Sequence, residues 1–421
     1  MRSVADALII GGGPAGCAAA ILLARAGWRV ILAEQSAYPR QKVCGECITA
    51  GSLELFDSLG VGEAFRAMAG PELSRVGWMS SDPLLAADFP ACSAGAYPYG
   101  RAVGRDRLDA LLLDRARATG VEVLQPAKVR GVRGGPGDFT ADIEMRPRGG
   151  SPAGRVPKRH RTLFARVVVD AHGSWESAPF AAITAGGFRK RSSDLFAFKA
   201  SFEDSRLSPG ILPVIALRGG YGGMVVAEGG RTTVACCIRR DRLRDCRESM
   251  PGVSAGDAVA AFLHRSCAGV RDALGDARQL GPWLSVGPIR PGIRPRGDLQ
   301  VFRVGNAAGE SHPLIGEGIG MALESAHLLA ALLSEHRAAA FDASRTRRVN
   351  DRYAEAWRTA FAPRVRFAAA AARAAMQPGL TSLSQALLRR WPALLTRAAR
   401  WAGKTRPSIV GSEEKTRHEH A

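Results

Sequence analysis

Residues 1–34 constrain the fold of this chain more than any other stretch. Residues 7–10 are a short apolar run that predicts a buried strand, and Gly-Gly-Gly-Pro-Ala-Gly follows directly at residues 11–16. Residues 17–26 are rich in Ala and Leu and predict a helix, while residues 28–33 predict a second strand that ends at Glu34. This order of elements is typical of the start of a dinucleotide-binding unit: a strand, a glycine-rich turn, a helix, and a second strand that ends in an acid.

Each part of this unit has a physical role. Gly11 lets the chain turn sharply out of the strand, Gly13 leaves room for a pyrophosphate, and Gly16 lets the helix pack closely on the strand. The helix N-terminus offers free N–H groups to the phosphates. Glu34 can accept both hydroxyls of an adenosine ribose and disfavours a 2′-phosphate, so we expect FAD or NAD rather than NADP. The predicted contacts are Gly11, Gly13, Pro14, Ala15, Gly16 and Glu34.

Length and composition indicate a large globular chain. Its 421 residues predict two or three domains, or one nucleotide-binding domain with a large insertion, and the 46% hydrophobic content permits a sizeable core. No uncharged apolar run reaches the roughly eighteen residues of a transmembrane helix. The N-terminal glycines would interrupt the apolar region of a secretory signal. We therefore expect a cytoplasmic protein.

The formal net charge is +19, and 51 of the basic residues are Arg against 7 Lys. We favour a solvated, arginine-coated enzyme, and the alternatives are attraction to anionic lipid, nucleic acid or an acidic carrier protein. No nucleic-acid-binding motif is visible, so no nucleic-acid partner is expected. The eight cysteines are spaced irregularly and are expected to stay reduced. Cys44 and Cys47 have redox or half-zinc spacing, but no second pair completes a metal site.

The remaining chain predicts an α/β fold with a Rossmann-type, three-layer nucleotide-binding domain, an inserted β-rich substrate domain and a helical C-terminal segment. Residues 1–75, 98–175 and 285–335 are assigned to the nucleotide-binding domain, and residues 76–97 and 176–284 to the substrate domain. Residues 336–404 are predicted as C-terminal helices and residues 405–421 as a flexible tail. A Gly/Pro/Arg-rich loop is expected at residues 146–161. Arg40 and Lys42, in a loop after the second strand, either reach a pyrophosphate or are solvated.

Two further motifs follow the first in chain order. They are Val169-Asp170-Ala171-His172-Gly173-Ser174 and Gly305-Asn306-Ala307-Ala308-Gly309, the latter followed by Pro313, Gly316 and Gly318. Together the three motifs resemble the FAD-dependent family of p-hydroxybenzoate-hydroxylase-type monooxygenases, geranylgeranyl reductases and flavin-dependent halogenases. Lys-Val-Cys-Gly-Glu at residues 42–46 looks most like the geranylgeranyl-reductase-like branch. The resemblance covers roughly residues 1–335 and implies bound FAD.

The resemblance also implies roles for single residues. Arg105 would contact FAD near the ribityl or pyrophosphate region, and Asn306 stands where the family has an Asp that binds a ribityl hydroxyl. His172 replaces the usual second acid of the Asp-Gly segment. Residues 313–318 would wrap the isoalloxazine, and the following helix would point its N-terminus at the pyrimidine ring and stabilise negative charge there. The cofactor contacts implied in this way, together with those of the loop after the second strand, are Arg40, Lys42, Cys44, Gly45, Arg105, Asp170, Gly173, Gly305, Asn306, Pro313, Gly316, Gly318 and Ile319.

Three residues are candidates for catalysis. His312 would donate a proton, contact substrate or form a structural hydrogen bond. Glu46, like Cys44, would lie over the isoalloxazine by family analogy, although packing is an alternative for Cys44. Tyr221, between glycines, would line the substrate cavity or be an ordinary hairpin aromatic.

The resulting hypothesis is an NAD(P)H-dependent FAD oxidoreductase. Hydroxylation of an apolar aromatic or polyketide-like metabolite is preferred, and reduction of an isoprenoid-type double bond is the alternative. The Trp-x-Trp-x-Ile-Pro segment of halogenases is absent, so halogenation is not expected. The Tyr-x-Trp-x-Phe-Pro stretch of isoprenoid reductases is also absent, since residues 220–226 differ from it. A non-catalytic flavin-binding protein is a third reading.

The segment at residues 362–404 combines apolar residues at helical spacing with arginines. Such helices usually cover a core, but a basic helix with Trp and Leu on its other face also suits a membrane interface. We therefore expect weak, reversible contact with the inner face of an anionic membrane through Trp391, Trp401 and the neighbouring arginines.

Overall fold

The computed structural model describes residues 3–93, 95–146, 159–174, 190–296 and 300–401. Most of the predicted loop at residues 146–161 and the whole predicted tail lie outside these ranges. The described strands are Val4–Ile10 (β1), Val30–Ala33 (β2), Cys47–Ile48 (β3), Arg75–Met79 (β4), Leu85–Asp88 (β5), Arg101–Ala102 (β6), Glu122–Leu124 (β7), Ala127–Gly135 (β8), Asp138–Met145 (β9), Arg159–Asp170 (β10), Leu195–Glu203 (β11), Ile211–Leu217 (β12), Gly220–Val226 (β13), Thr232–Arg239 (β14), Arg278–Ile289 (β15), Gly292–Ile293 (β16), Phe302–Arg303 (β17) and Gly309–Glu310 (β18). The described helices are Pro14–Arg25 (α1), Ala50–Leu59 (α2), Gly62–Met68 (α3), Arg105–Ala118 (α4), Arg240–Glu248 (α5), Ala255–Ser266 (α6), Ala268–Leu274 (α7), Gly318–Ser334 (α8), Ala343–Ala375 (α9), Pro378–Arg390 (α10) and Ala393–Trp401 (α11).

The first sheet is parallel around β1. Strand β1 pairs in parallel with β2 and β10, β2 pairs with β7, and β10 pairs with β17, while β8 and β9 form an antiparallel hairpin beside β10. Successive side chains of β1 point to opposite faces. Ala7 and Ile9 pack with the core of α1, α4 and α8, whereas Leu8 and Ile10 pack with the hairpin. Burial of both faces explains why this strand is a continuous apolar run.

The second sheet is mostly antiparallel, in the order β15-β11-β14-β13-β12-β4-β5, with β12 parallel to β4. Helices α6 and α7 cover one face of this sheet through Val259, Leu263 and Val270. Strand β15 was not predicted and continues to Ile289, past the predicted domain boundary at residue 284. Tyr221 lies within β13 rather than in a loop, because the chain turns at Gly219, where φ is +74°.

Three α-helices follow α8 within the described residues. Helix α9 packs on the first domain through Tyr353, Trp357 and Phe361. Helix α11 lies on β4 and β5, and α10 contacts β12 of the same sheet, so that Leu388 and Leu395 are buried with Val76. The observed order of elements confirms the predicted α/β class, the inserted β-rich region and the helical C-terminal segment. The edges of the predicted domains stay a prediction.

Candidate functional site

The turn between β1 and α1 gives its three glycines different surroundings. Gly11 has φ +109°, and a Cβ on it would lie 2.4 Å from the Ala171 carbonyl oxygen. A Cβ on Gly16 would lie 1.9 Å from the Gly11 oxygen, so α1 packs tightly on the strand. Beside Gly13, by contrast, the nearest atom to a Cβ would be Arg105 Nη2 at 3.8 Å. Gly13 therefore faces open space at the N-terminus of α1, where a pyrophosphate can approach the backbone.

Glu34 is only 3% exposed and closes the end of β2. Its Oε2 accepts a hydrogen bond from Gly12 N at 2.8 Å, and its Oε1 accepts one from Ser36 N at 2.7 Å. Tyr38 Oη lies 3.3 Å from Glu34 Oε2 and donates to the Gly12 carbonyl at 2.8 Å. The carboxylate is thus held beside the glycine turn, as a ribose-binding acid requires. Tyr38 was not identified from the sequence.

Two guanidinium groups converge on Asp109. Arg105 binds Asp109 through two hydrogen bonds of 2.8 Å each, one from Nε and one from Nη2. Arg40 Nη2 lies 3.6 Å from Glu34 Oε2 and 3.7 Å from Asp109 Oδ2. Two arginines whose side chains are held in place by neighbouring carboxylates are suited to bind phosphate oxygens. Asp109 was missed, although its spacing four residues after Arg105 on a helix is a visible signal.

The loop at residues 40–46 is tied to the second sheet by Glu46. Glu46 is fully buried, has φ +60°, and pairs with Lys199 on β11, which is 1% exposed. Its carboxylate also accepts a hydrogen bond from Arg105 N at 3.0 Å and one from Thr233 Oγ1 at 2.6 Å. These three donors occupy both oxygens of the Glu46 carboxylate, as expected of a residue that holds the loop in position. Lys199 was missed, although a lysine at a buried position of an apolar strand is a signal.

Two other residues of this loop have distinct surroundings: Gly45 faces open space, and Lys42 lies beside Gly173. Gly45 is exposed, with no atom within 4 Å of where its Cβ would be. Gly173 has φ +91°, and a Cβ on it would lie 3.5 Å from Lys42 Nζ. The loop therefore folds back over the end of β10, and Lys42 is placed at the Asp170 motif.

The Asp170 motif follows β10. Asp170 is fully buried, and its Oδ1 contacts the Nδ1 of His172 and accepts a hydrogen bond from His172 N at 3.3 Å. Arg303 Nε lies 3.8 Å from Asp170 Oδ2. His172 therefore turns back to Asp170 and fixes the shape of the segment that precedes Gly173.

The Gly305 motif meets the Asp170 motif through a hydrogen-bond chain. Asn306 Nδ2 donates to Ser174 Oγ at 2.7 Å, and Ser174 Oγ donates to Glu310 Oε1 at 3.1 Å. Burial raises the pKa of Glu310. Gly305 has φ +59°, and a Cβ there would lie 2.8 Å from the Ala15 Cβ. The second and third motifs are thus brought onto the N-terminal end of α1, with further hydrogen-bonding capacity left on the Asn306 amide.

The segment at residues 313–318 leads into α8. Pro313 is exposed, Gly316 has φ +59° and ends a short 3-10 helix, and nothing lies within 4 Å of a Cβ on Gly318. Ile319 is buried in the first turn of α8. Arg364 on α9 holds Glu317 through a contact of 3.3 Å. This arrangement leaves the N-terminus of α8 accessible at Gly318.

His312 and Tyr221 meet where this segment faces the second sheet. Tyr221 Oη lies 3.1 Å from His312 Nδ1, and the phenol also hydrogen-bonds Cys237. Burial lowers the pKa of His312 to about 4, with a smaller contribution from the charge of Arg373. Burial raises the pKa of Tyr221. The pair is therefore neutral at pH 7, and the imidazole has one unprotonated nitrogen.

The arrangement defines a dinucleotide-binding protein of the Rossmann type. The structure places a buried acid at the end of β2, Arg105 beside an open glycine, and an amide at the start of the third motif, and at these positions the sequence predicts contacts with the ribose, pyrophosphate and ribityl parts of FAD. The chain belongs to the FAD binding domain family, which matches residues 4–360. This match confirms the predicted family and FAD as the cofactor.

Several known proteins are similar to parts of the chain. Tryptophan 2-halogenase from Chondromyces crocatus is 35% identical over 118 residues, which is 28% of this chain and 22% of that protein. Menaquinone reductase from Mycobacterium tuberculosis (strain H37Rv) is 33% identical over 124 residues, 30% of this chain and 29% of the reductase. The matches thus span less than a third of these curated relatives.

The fold is also similar to that of PqsL from P. aeruginosa, whose structure was solved in complex with 2-aminobenzoylacetate. The TM-score is 0.67 at 18% identity, covering 90% of this chain and 98% of PqsL.

Within the described part of the chain, no group of three or more His, Cys, Asp or Glu side chains is placed to hold a metal ion. The eight cysteines all lie in the described residues, and no disulfide joins any two of them. None of the described helices has both the length and the apolar composition needed to cross a bilayer.

Proposed function

We propose that this protein is an NAD(P)H-dependent FAD monooxygenase that hydroxylates a small apolar aromatic compound. The observation that carries the proposal is the neutral His312–Tyr221 pair at the edge of an apolar cluster beside the predicted flavin-binding loops. Membership of the FAD binding domain family supports the cofactor. The site supports the choice of hydroxylation and the substrate class, whereas NAD(P)H as the electron donor is implied by the family.

An apolar cluster between the two domains supports the substrate class. Val43, from the loop after β2, and Leu314, from the segment before α8, pack against the same side chains of the second sheet and α9. The buried members of this cluster are Leu195, Ala197, Tyr221, Cys237, Ile289, Ala372 and Ala375. An apolar compound that enters between Leu314 and Tyr221 would therefore replace contacts with other apolar groups.

The His312–Tyr221 pair supports the reaction class. Because burial lowers the pKa of His312 to about 4, the imidazole is unprotonated at pH 7 and can accept a hydrogen bond from a hydroxyl group of the substrate. Such a hydrogen bond makes the ring of a phenolic substrate more electron-rich, which favours attack by an electrophilic oxygen. When His312 Nδ1 donates its hydrogen to Tyr221 Oη, 3.1 Å away, the other ring nitrogen, Nε2, is the acceptor that is left for the substrate.

Bound FAD would supply electron transfer from NAD(P)H and activation of O₂. The reaction consumes substrate, O₂, NAD(P)H and a proton, and it yields hydroxylated product, water and NAD(P)⁺. Glu34, Arg40 and Arg105 would hold the ADP half of the cofactor. The N-terminus of α8 at Gly318 would stabilise negative charge on the ring system. The apolar cluster excludes water.

A double-bond reductase is the second candidate. The hydrogen bond between Tyr221 Oη and His312 Nδ1, 3.1 Å long, can relay from solvent the proton that accompanies hydride transfer. The local similarity to menaquinone reductase, a protein named as a reductase, favours this candidate over a non-catalytic protein.

The decisive experiment is anaerobic reduction of the purified yellow protein by NADH and NADPH, with and without a panel of phenols and quinones, followed by addition of labelled O₂. Incorporation of one labelled oxygen atom into the product supports the monooxygenase. A product that gains two hydrogen atoms without O₂ would show a reductase, and no NAD(P)H oxidation would show a non-catalytic protein.

Two variants test the pair itself. His312→Gln and Tyr221→Phe should lower the rate of product formation, while FAD content stays unchanged. The matched control is His327→Gln, because His327 is also a mostly buried histidine with a lowered pKa but contacts Ser58 and Leu323 instead. Equal losses in all three variants would contradict a special role for His312.

A further inference from the structure

The C-terminal helices expose an unusual group of large apolar side chains. Among the described residues, the exposed large apolar side chains are Val253 and five residues of α10, α11 and the turn between them. Those five, here called the C-terminal apolar surface, are Leu380, Leu383, Leu387, Trp391 and Trp401. Leu383 is 57%, Trp391 52% and Trp401 78% exposed. Exposed apolar residues scattered singly are normal, but a cluster indicates an interaction site.

The surface is part of a fixed structure. On α10, the spacing of Leu380, Leu383 and Leu387 puts them on one side of the helix. Its other side is buried at Leu388, and Ser80 Oγ donates to Gln385 Oε1 at 3.0 Å. Leu395 and Ala399 bury α11 on the same sheet, and Thr396 Oγ1 donates to the Asp88 carbonyl at 2.7 Å. The second sheet therefore holds both helices while the apolar surface points outwards.

The charged residues of α10 and α11 are all basic. No Asp or Glu occurs in the sequence between Glu355 and Glu413. Arg390, Arg397 and Arg400 are exposed beside the apolar residues, and the Arg390 guanidinium lies 5.7 Å from the ring of Trp391. Arg389 is paired with Asp82, in the turn between β4 and β5, at 3.1 Å. Exposed Trp and Leu, together with arginines on helices that contain no acids, are typical of helices that lie in the headgroup region of an anionic bilayer.

We propose that the C-terminal apolar surface binds reversibly to bilayers that contain anionic lipid, with α10 and α11 lying along the headgroup region. The apolar side chains enter the acyl boundary, and Arg390, Arg397 and Arg400 contact the lipid phosphates. A second copy of this chain is a poorer occupant, because it would bring the same positive charges together.

The position of the surface relates it to the candidate site. Helix α10 begins at Pro378, and α9 ends at Ala375, which packs in the apolar cluster with Tyr221 and Leu314. A substrate that is dissolved in the bilayer would therefore reach the cluster along the end of α9. This last step rests on the proposed function, whereas binding to lipid does not.

The test is co-sedimentation of the FAD-loaded full chain with vesicles of phosphatidylcholine alone and of phosphatidylcholine with one third phosphatidylglycerol. The protein should pellet with the anionic vesicles at about 0.05 M NaCl and be released at about 0.5 M NaCl, because salt screens the arginines. It should stay in the supernatant with neutral vesicles. Recovery of the protein in the supernatant with anionic vesicles at low salt would overturn the proposal.

Two matched pairs of variants locate the contact. Arg397→Gln/Arg400→Gln should weaken binding by about fivefold for each arginine, whereas Arg347→Gln/Arg348→Gln, on the first turns of α9, should leave it unchanged. Leu383→Ser/Trp391→Ser should weaken binding at least about tenfold, and Val253→Ser should not.

Circular dichroism and FAD content must match wild type in every variant. Equal losses in the control variants would show nonspecific adsorption and overturn the assignment. If Leu383→Ser/Trp391→Ser instead dissociates an oligomer, and no variant changes vesicle binding, a second copy covers the surface and the proposal is wrong. Because the readout is lipid binding, failure of the proposed hydroxylation would leave this result unaffected.

Discussion

Lys199→Met should destabilise the protein strongly, because it leaves the Glu46 carboxylate without its cationic partner. Lys199 is 1% exposed and Glu46 is fully buried, so water cannot replace the lost ammonium group. Breaking a buried ion pair by removal of one partner costs about 3–5 kcal/mol. The hydrogen bonds from Arg105 N and Thr233 Oγ1 remain at 3.0 and 2.6 Å. We therefore expect a loss near the lower end of that range, about 3 kcal/mol.

The assay is urea unfolding at pH 7, followed by circular dichroism and tryptophan fluorescence, with FAD content measured on the same preparations. Lys199→Met/Glu46→Gln removes both charges while it keeps an acceptor for Arg105 and Thr233. The double variant should be more stable than Lys199→Met by about 1–2 kcal/mol. Because Glu46 shapes the loop that carries Cys44, Lys199→Met should also lower FAD retention.

Lys128→Met is the matched control, because Lys128 is an exposed lysine on β8. Its effect should stay within about 0.5 kcal/mol. The reasoning is refuted if Lys199→Met costs no more than Lys128→Met. It is also refuted if the double variant is no more stable than the single one, since the lost stability would then come from packing of the lysine side chain rather than from an uncompensated carboxylate.

Three further predictions concern the cofactor and the proton-transfer pair. Gly13→Val should fold, because φ at Gly13 is −73° and its Cβ space is open, but the protein should purify without FAD; stoichiometric FAD would refute the pyrophosphate assignment. Asn306→Asp should keep FAD, whereas Asn306→Leu should weaken binding by about 1–3 kcal/mol, measured by fluorescence titration, and unchanged affinity would remove Asn306 from the site. The folded-state pKa of His312, about 4, lies below the unfolded value near 6.5, so wild type should lose up to about 3 kcal/mol of stability as the pH falls from 6.5 to 4. His312→Gln should flatten that decline in pH-dependent urea unfolding, and an unchanged slope would contradict the assignment.

The sequence by itself determined the first unit and the cofactor class. Its strand, glycine turn, helix and acid depend on contacts within residues 4–34, where local spacing decides the geometry. The alternation of the two faces of β1 follows from the same local rule. Even the Arg105–Asp109 pair, which was overlooked, could be derived from helical spacing. Such features can be read because neighbouring residues are forced into contact by the backbone itself.

The tertiary structure alone decided which distant residues meet. Tyr221 and His312 are 91 positions apart, and Lys199 and Glu46 are 153 positions apart. Sequence patterns identified three of these four residues as candidates but did not pair them, and Lys199 was not recognised. Periodicity specifies which face of a strand is buried, whereas the partner on that face depends on sheet register and domain packing. The apolar stripe of α10 is a related case: its spacing was visible in the sequence, but only the packing of Leu388 on the second sheet decided that Leu383 faces outwards.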